Sequence, residues 1–95
     1  MLISVVIPCY YSEKTIRKVV ELVMAEFEKN DGYECEFVLV NDGSTDHTFE
    51  EIQKLGAQYP NVCGVNLMRN FGQHNALMAA LHYAKGDYVL GMDDD

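Results

Sequence analysis

Basic residues are scarce in this chain. Seven Lys and Arg stand against fifteen Asp and Glu, a formal net charge of −8. A surface of that sign repels polyanions, so nucleic acid and anionic membrane surfaces are poor partners. There is no Cys-x-x-Cys pair. Cys9, Cys35 and Cys63 are odd in number, widely spaced and each near an apolar run. They read as buried or half-buried thiols in a reducing compartment. The first apolar run, Leu2 to Ile7, is far too short to span a bilayer and follows no basic leader, so no signal peptide is expected and the residues read as cytoplasmic. Repeats, low-complexity tracts and internal linkers are also missing. No Gly-x-Gly-x-x-Gly follows the first strand and no Gly-x-x-x-x-Gly-Lys-Ser/Thr occurs, which disfavours dinucleotide and P-loop sites. No Ser stands in a Gly-x-Ser-x-Gly turn, so a serine hydrolase is a poor reading. His47, His74 and His82 lack the spacing of metal ligands and read as surface or helix-face residues.

What is present is one domain's worth of alternating strand and helix patterns. Ile3 to Ile7 is a β-branched run broken only by Ser4 and stopped by Pro8, as in strands covered on both faces. Ser12 is placed to cap a helix with Glu13 in its first turn. Ile16, Val19, Val20, Val23, Met24 and Phe27 then share one helical face, which reads as core. Lys29 to Gly32 closes that helix, with Gly32 free to turn left-handed. Phe37 to Val40 is the second strand. Phe49, Ile52 and Leu55 mark a second helix whose cap is open among Ser44, Asp46 and Thr48, the last forming a capping box with Glu51. Val62 to Leu67 is the third strand, Arg69 to Gln73 a loop, and Leu77, Met78, Leu81 and Ala84 a third helical face closed by Lys85-Gly86. Strand starts near 3, 37, 62 and 88 predict an α/β fold with a mainly parallel sheet.

The last stretch, Gly86 to Asp95, is an apolar strand that delivers Asp93, Asp94 and Asp95. Three carboxylates so close repel each other unless a cation joins them, and their oxygens suit a hard divalent ion such as Mg2+ or Mn2+. A solvated acidic tail is the bland alternative. In parallel sheets ligands bind beyond the carboxyl ends of the strands. Pro8-Cys9-Tyr10, Asn41-Asp42-Gly43, Arg69-Asn70 and Asp93-Asp94-Asp95 all fall there. An aromatic ring can stack on a base, carboxylates can accept from base or ribose, and a metal can bridge a diphosphate. Together they suit a nucleotide-diphosphate compound with the diphosphate as leaving group.

Four segments in register carry a resemblance: Val5 to Tyr10, Val40 to Asp46, Gly86-Asp87-Tyr88 and Met92 to Asp95. The chain resembles the N-terminal part of a family 2 glycosyltransferase of the GT-A, Rossmann-like fold, with helices on both faces of the sheet. The resemblance covers residues 1–95, up to the Asp-x-Asp motif. It implies that Pro8 and Tyr10 flank the nucleotide base, that Glu13 faces base or ribose and that Asp42 hydrogen-bonds the base. Asp93, Asp94 and Asp95 would be the motif itself, with Asp95 a direct metal ligand. Asp93 would act on the ribose or on the metal through water, and Asp94 would contribute backbone. Gly43 and Ser44 read as turn and cap, Cys9 as packing, Asp46 as cap or ligand, and Asp87 as a turn residue. Where many relatives have Asn after the tyrosine, this chain has Tyr11-Ser12-Glu13.

Arg69 to Ala80 looks most like the polyprenyl-phosphate branch, which includes dolichol-phosphate mannose synthases. The resemblance then implies inverting, metal-dependent transfer from a UDP-sugar, or else a GDP-sugar, to a lipid phosphate at the cytosolic membrane face. Transfer to a sugar hydroxyl in polysaccharide or O-antigen synthesis is the alternative, and would need a carboxylate base that the family carries beyond the Asp-x-Asp motif. The 95 residues alone are expected to be an inactive α/β fragment, with an open sheet edge that invites self-association.

Overall fold

The computed structural model describes residues 1–30 and 32–93. Asp94 and Asp95 therefore lie outside the described residues. In chain order the elements are β1 (Leu2–Cys9), α1 (Ile16–Glu28), β2 (Glu34–Asp42), α2 (Thr48–Gln58), β3 (Val62–Leu67), α3 (Gln73–Leu81) and β4 (Tyr88–Gly91). The four strands form one parallel sheet in the order β3-β2-β1-β4. From β1 the chain steps outward through α1 and α2 to β3. It then returns through α3 to the opposite side of β1. Crossovers of one hand running in opposite directions must place their helices on opposite faces.

The side chains bear this out. Val5, Ile7, Phe37 and Leu39 are fully buried against Ile16 and Val20 of α1 and Ile52 and Leu55 of α2. The alternate residues Val6, Val38 and Val40 face the other way, beneath Ala76 and Ala80 of α3. Each such large side chain contributes roughly 2 kcal/mol of transfer free energy. Because β1 and β2 are covered on both sides, their sequences read as continuous apolar runs rather than alternating ones. Gly64 of β3 marks a close approach: a Cβ there would stand 2.6 Å from Ile52 Cγ2.

Several local expectations are corrected. The stripe of α3 that meets the sheet is Ala76, Ala80 and Leu77, while Met78 and Leu81 are exposed. From Ala76 to Leu81 every residue of this helix is apolar, so periodicity does not single out its inner face. It also starts at Gln73 and ends at Leu81, before Lys85-Gly86, with His82 as its C-cap. Ser12 does not cap α1 through its side chain. Its carbonyl accepts from the N–H groups of Thr15 and Ile16, and the helix begins at Ile16. For α2, Asp46 is the residue that serves. Its Oδ1 accepts from the Thr48 N–H and from the Thr48 hydroxyl, while Glu51 pairs with Arg17 instead of closing a box. Cys9 is buried and Cys35 half-buried, but Cys63 is exposed, because β3 is an edge strand.

At the amino end of the sheet, polar groups satisfy one another. The Ser4 hydroxyl donates to Glu36 Oε2 and accepts from the Gly86 N–H, and the same Glu36 oxygen accepts from the Lys85 N–H. Asp87 Oδ2 accepts from the Leu2 N–H, and the Asp87 N–H donates to the Leu2 carbonyl. These bonds seat β4 beside β1. Among the described residues nothing pairs with its other edge, and Tyr88, Val89 and Leu90 are exposed. No helix among the described residues is long and apolar enough to cross a membrane.

Candidate functional site

The strand order reverses beside β1, whose neighbours β2 and β4 are reached in opposite directions. A crevice at the carboxyl ends of the strands is expected at such a switch point. Pro8 lies near the end of β1, and Tyr10 follows it, half exposed. Tyr11 takes a left-handed φ of +53°, unusual for a bulky residue and tolerated best by Asn or Gly. Its N–H donates to Ser44 Oγ and its hydroxyl pairs with Thr45 Oγ1, both at 2.8 Å. The Ser12 N–H donates to Thr48 Oγ1. The loop after β1 is thereby sewn to the loop after β2. The Tyr10 and Tyr11 rings meet edge to face, with centroids 4.6 Å apart, which fixes the attitude of Tyr10.

At the end of β2, Asn41 bridges to Asn66 of β3 and its Oδ1 accepts from the Ser44 N–H. Asp42 is 3% exposed, and its Oδ1 accepts from the Phe71 N–H at 2.8 Å. Gly43 has φ +76°, and a Cβ on it would fall 2.2 Å from the Asn70 nitrogen and 2.3 Å from the Arg69 carbonyl carbon. Only glycine allows the two loops to come so close. The Arg69–Gln73 segment is then folded on itself: Asn70 Oδ1 accepts from the Gly72 N–H, Asn75 donates to the Phe71 carbonyl, and the Arg69 guanidinium lies over the Phe71 ring.

The cleft that results has a volume of about 320 Å3 and is lined by Pro8, Tyr10, Asp42, Asn70, Gly72, Gln73 and Asp93. It holds one aromatic ring, two carboxylates and two amides, with no basic side chain among its lining residues. The Gln73 side-chain amide donates to Asp93 Oδ1. Asp93 thus rests at the start of α3, where the helix dipole favours a negative charge. An acid-lined cleft of this kind attracts cations and hydroxyl donors, and would accept a diphosphate only together with a cation. Asp93 offers the hard oxygen donor that Mg2+ or Mn2+ takes. Among the described residues no three His, Cys, Asp or Glu side chains stand close enough to hold a metal by themselves.

Four of the residues singled out from the sequence, Pro8, Tyr10, Asp42 and Asp93, are therefore brought into one cleft. Glu13 is not among its lining residues. It lies half-buried in the turn before α1, where its charge helps raise the pKa of His47. Asp94 and Asp95 fall outside the described residues. Asn70, placed at a strand end from the sequence but given no role, also lines the cleft, while Gly72 and Gln73 were read only as loop. The signal that could have found them is an Asn-x-Gly turn at the end of a strand, just before a helix. The groups with perturbed pKa lie away from the cleft. Arg17 is raised chiefly by its hydrogen bond to Glu51, Tyr59 by its bond to Glu21, and Cys35 by burial. Together these Arg17 and Tyr59 contacts tie α1 to α2 and its end.

Comparison with known proteins bears on this cleft. The family model described as glycosyl transferase family 2 matches residues 4–95. The prophage bactoprenol glucosyl transferase homolog of Escherichia coli (strain K12) is 39% identical over 95 residues, spanning 100% of this chain and 31% of that protein. The undecaprenyl-phosphate 4-deoxy-4-formamido-L-arabinose transferase of Edwardsiella ictaluri is 40% identical over 95 residues, spanning 98% of this chain and 29% of that protein. The structure of S. aureus TarS 1-349 in complex with UDP-GlcNAc superposes with a TM-score of 0.80 at 34% identity, covering 100% of this chain and 27% of that one. The chain thus spans less than a third of the length of the relatives it matches.

Proposed function

This chain belongs to glycosyl transferase family 2, and from that premise we propose that it is the nucleotide-sugar-binding part of a transferase that moves a sugar from a nucleotide-diphospho-sugar to a polyprenyl phosphate. The observation that carries the proposal is the cleft at the switch point, where Pro8, Tyr10, Asp42 and Asp93 converge from three strand ends. The names of the bactoprenol and undecaprenyl-phosphate relatives support the lipid-phosphate acceptor. The UDP-GlcNAc bound to the TarS structure supports a UDP-sugar over a GDP-sugar as donor.

In this reading Tyr10 stacks on the base, with Pro8 bounding the same end of the cleft. Asp42 has one oxygen engaged by the Phe71 N–H and retains acceptor capacity for a base N–H. Glu13, half-buried in the turn before α1, would face base or ribose. Asp93 accepts from ribose hydroxyls, or faces the diphosphate side with Asp95, while Asp94 contributes backbone. Held by Asp93 and Asp95, Mg2+ or Mn2+ would supply Lewis-acid charge for the departing diphosphate. The acceptor phosphate is already a nucleophile at neutral pH, so it needs positioning more than a general base. A single in-line displacement would invert the anomeric centre. The lipid acceptor puts the whole protein at the cytosolic face of a membrane. Among the described residues nothing pairs with the outer side of β4, where Tyr88, Val89 and Leu90 are exposed, which supports self-association of these 95 residues.

Calorimetric titration of UDP and of GDP into the protein, with Mn2+ and with EDTA, tests the reading. Metal-dependent binding of UDP that disappears in Asp95→Ala is the expected result. Binding that survives EDTA and ignores Asp95→Ala would point to another class of α/β module with an acidic tail.

A further inference from the structure

We propose that Gln73 is a positioning residue for Asp93, holding one carboxylate oxygen so that the other is presented to whatever the cleft binds. The inference rests on the nucleotide-sugar reading for what is bound, but its geometry is independent of it. An ionised carboxylate only accepts hydrogen bonds, so the partner of Asp93 Oδ1 must be the NH2 group of Gln73. Asp93 is exposed and follows a four-residue edge strand, so without a tether its side chain would sample several rotamers.

The tether is itself well anchored. Gln73 is the first residue of α3. Just before it, Gly72 turns with φ +93° and gives its N–H to Asn70 Oδ1. Phe71 gives its N–H to buried Asp42 and receives the Asn75 amide on its carbonyl. Asn70 is pressed against Gly43. The backbone that carries Gln73 is thus fixed, through a short chain of hydrogen bonds, to the end of β2 in the sheet core.

The choice of side chain matters as well. Lys or Arg at this position would neutralise Asp93 and compete with a cation for it, and Glu would repel it. A glutamine amide orients the carboxylate and leaves its full charge available. Outer-sphere partners of this kind set the direction of a ligand and its affinity without touching the bound group.

The test uses Mn2+ alone as one probe and UDP as another, on the wild-type chain and on Gln73→Ala. Paramagnetic broadening of amide resonances around Asp93 reads Mn2+ uptake, and calorimetry reads UDP. The expected result is Mn2+ affinity at Asp93 about ten- to a hundredfold weaker in Gln73→Ala. The melting midpoint should stay unchanged. Mn2+ affinity equal to wild type in Gln73→Ala would overturn the proposal. So would a loss accompanied by a matching fall in the melting midpoint, since that is a packing defect. Wild-type binding of UDP with no broadening near Asp93 overturns the positioning role and leaves the nucleotide reading standing. Mn2+ uptake without any UDP binding sinks the nucleotide reading, and the Gln73→Ala comparison still decides the role of Gln73.

Discussion

The two ends of the sheet carry the same kinds of residue and use them in opposite ways. At the amino end, Glu36 and Asp87 spend their acceptors on the Ser4 hydroxyl and on the N–H groups of Lys85 and Leu2. At the carboxyl end, Asp42 and Asp93 each hold one internal donor and still line an open cleft. The first pair joins β4 to the sheet. The second pair shapes a concave, acidic surface from loops that are themselves pinned together. What separates them is exposure to the cleft: Asp87 accepts one internal donor, as Asp42 and Asp93 do, but lines no part of it.

The comparison breaks most sharply at Gly43. Replacing it with Ala drives a Cβ into the Arg69–Asn70 backbone at a positive φ. A loss of about 3 kcal/mol in urea unfolding is expected, together with loss of nucleotide binding. Unchanged binding would mean that the apposition of these loops does not shape the cleft. At the opposite end, Glu36→Ala removes the acceptor shared by Ser4 and Lys85. It should cost about 1.5 kcal/mol of stability and leave nucleotide affinity as it was. A specific fall in affinity there would erase the distinction between the two ends.

The smallest effect concerns pH. His47, at the start of α2, has its pKa raised above 6.5, first by its hydrogen bond to Glu50 and then by the charges of Glu50 and Glu13. A raised folded pKa means that the charged form is favoured in the folded state. The contribution is therefore fully present below about pH 6.5 and is lost as pH rises through the folded value. Because both side chains are exposed the effect is slight. In melting curves His47→Gln should remove a shallow decline above that pH, and a decline of unchanged depth in the variant would reassign it.

Much of the architecture was legible in the sequence because it rests on local, periodic signals. The run Ile3 to Ile7 announced a strand covered on both faces, and the Ile16, Val20 stripe announced the inner face of α1. Face selection failed for α3, where Met78 and Leu81 are as apolar as the buried Ala76 and Ala80, and tertiary packing alone decides. In the site, Pro8, Tyr10, Asp42 and Asp93 could be found because each follows a recognisable strand. On the facing side only Asn70 stood out, as a strand-end residue, and Gly72 and Gln73 did not. The shape of that side depends on the Asp42–Phe71 bond, 29 residues apart in sequence, and on the contact of Gly43 with Asn70. Glu13 is not among the residues that line the cleft. Tyr11 turns left-handed and is held by Ser44 and Thr45, which redirects the chain before α1.

The most direct measurement is a map of amide chemical shifts as UDP and Mg2+ are added to the protein. The account predicts changes at Tyr10, Asp42, Asn70, Gly72, Gln73 and Asp93, with Ser4, Glu36, Lys85 and Asp87 undisturbed. Changes centred on the amino end, or none along the cleft at saturating UDP, would contradict it.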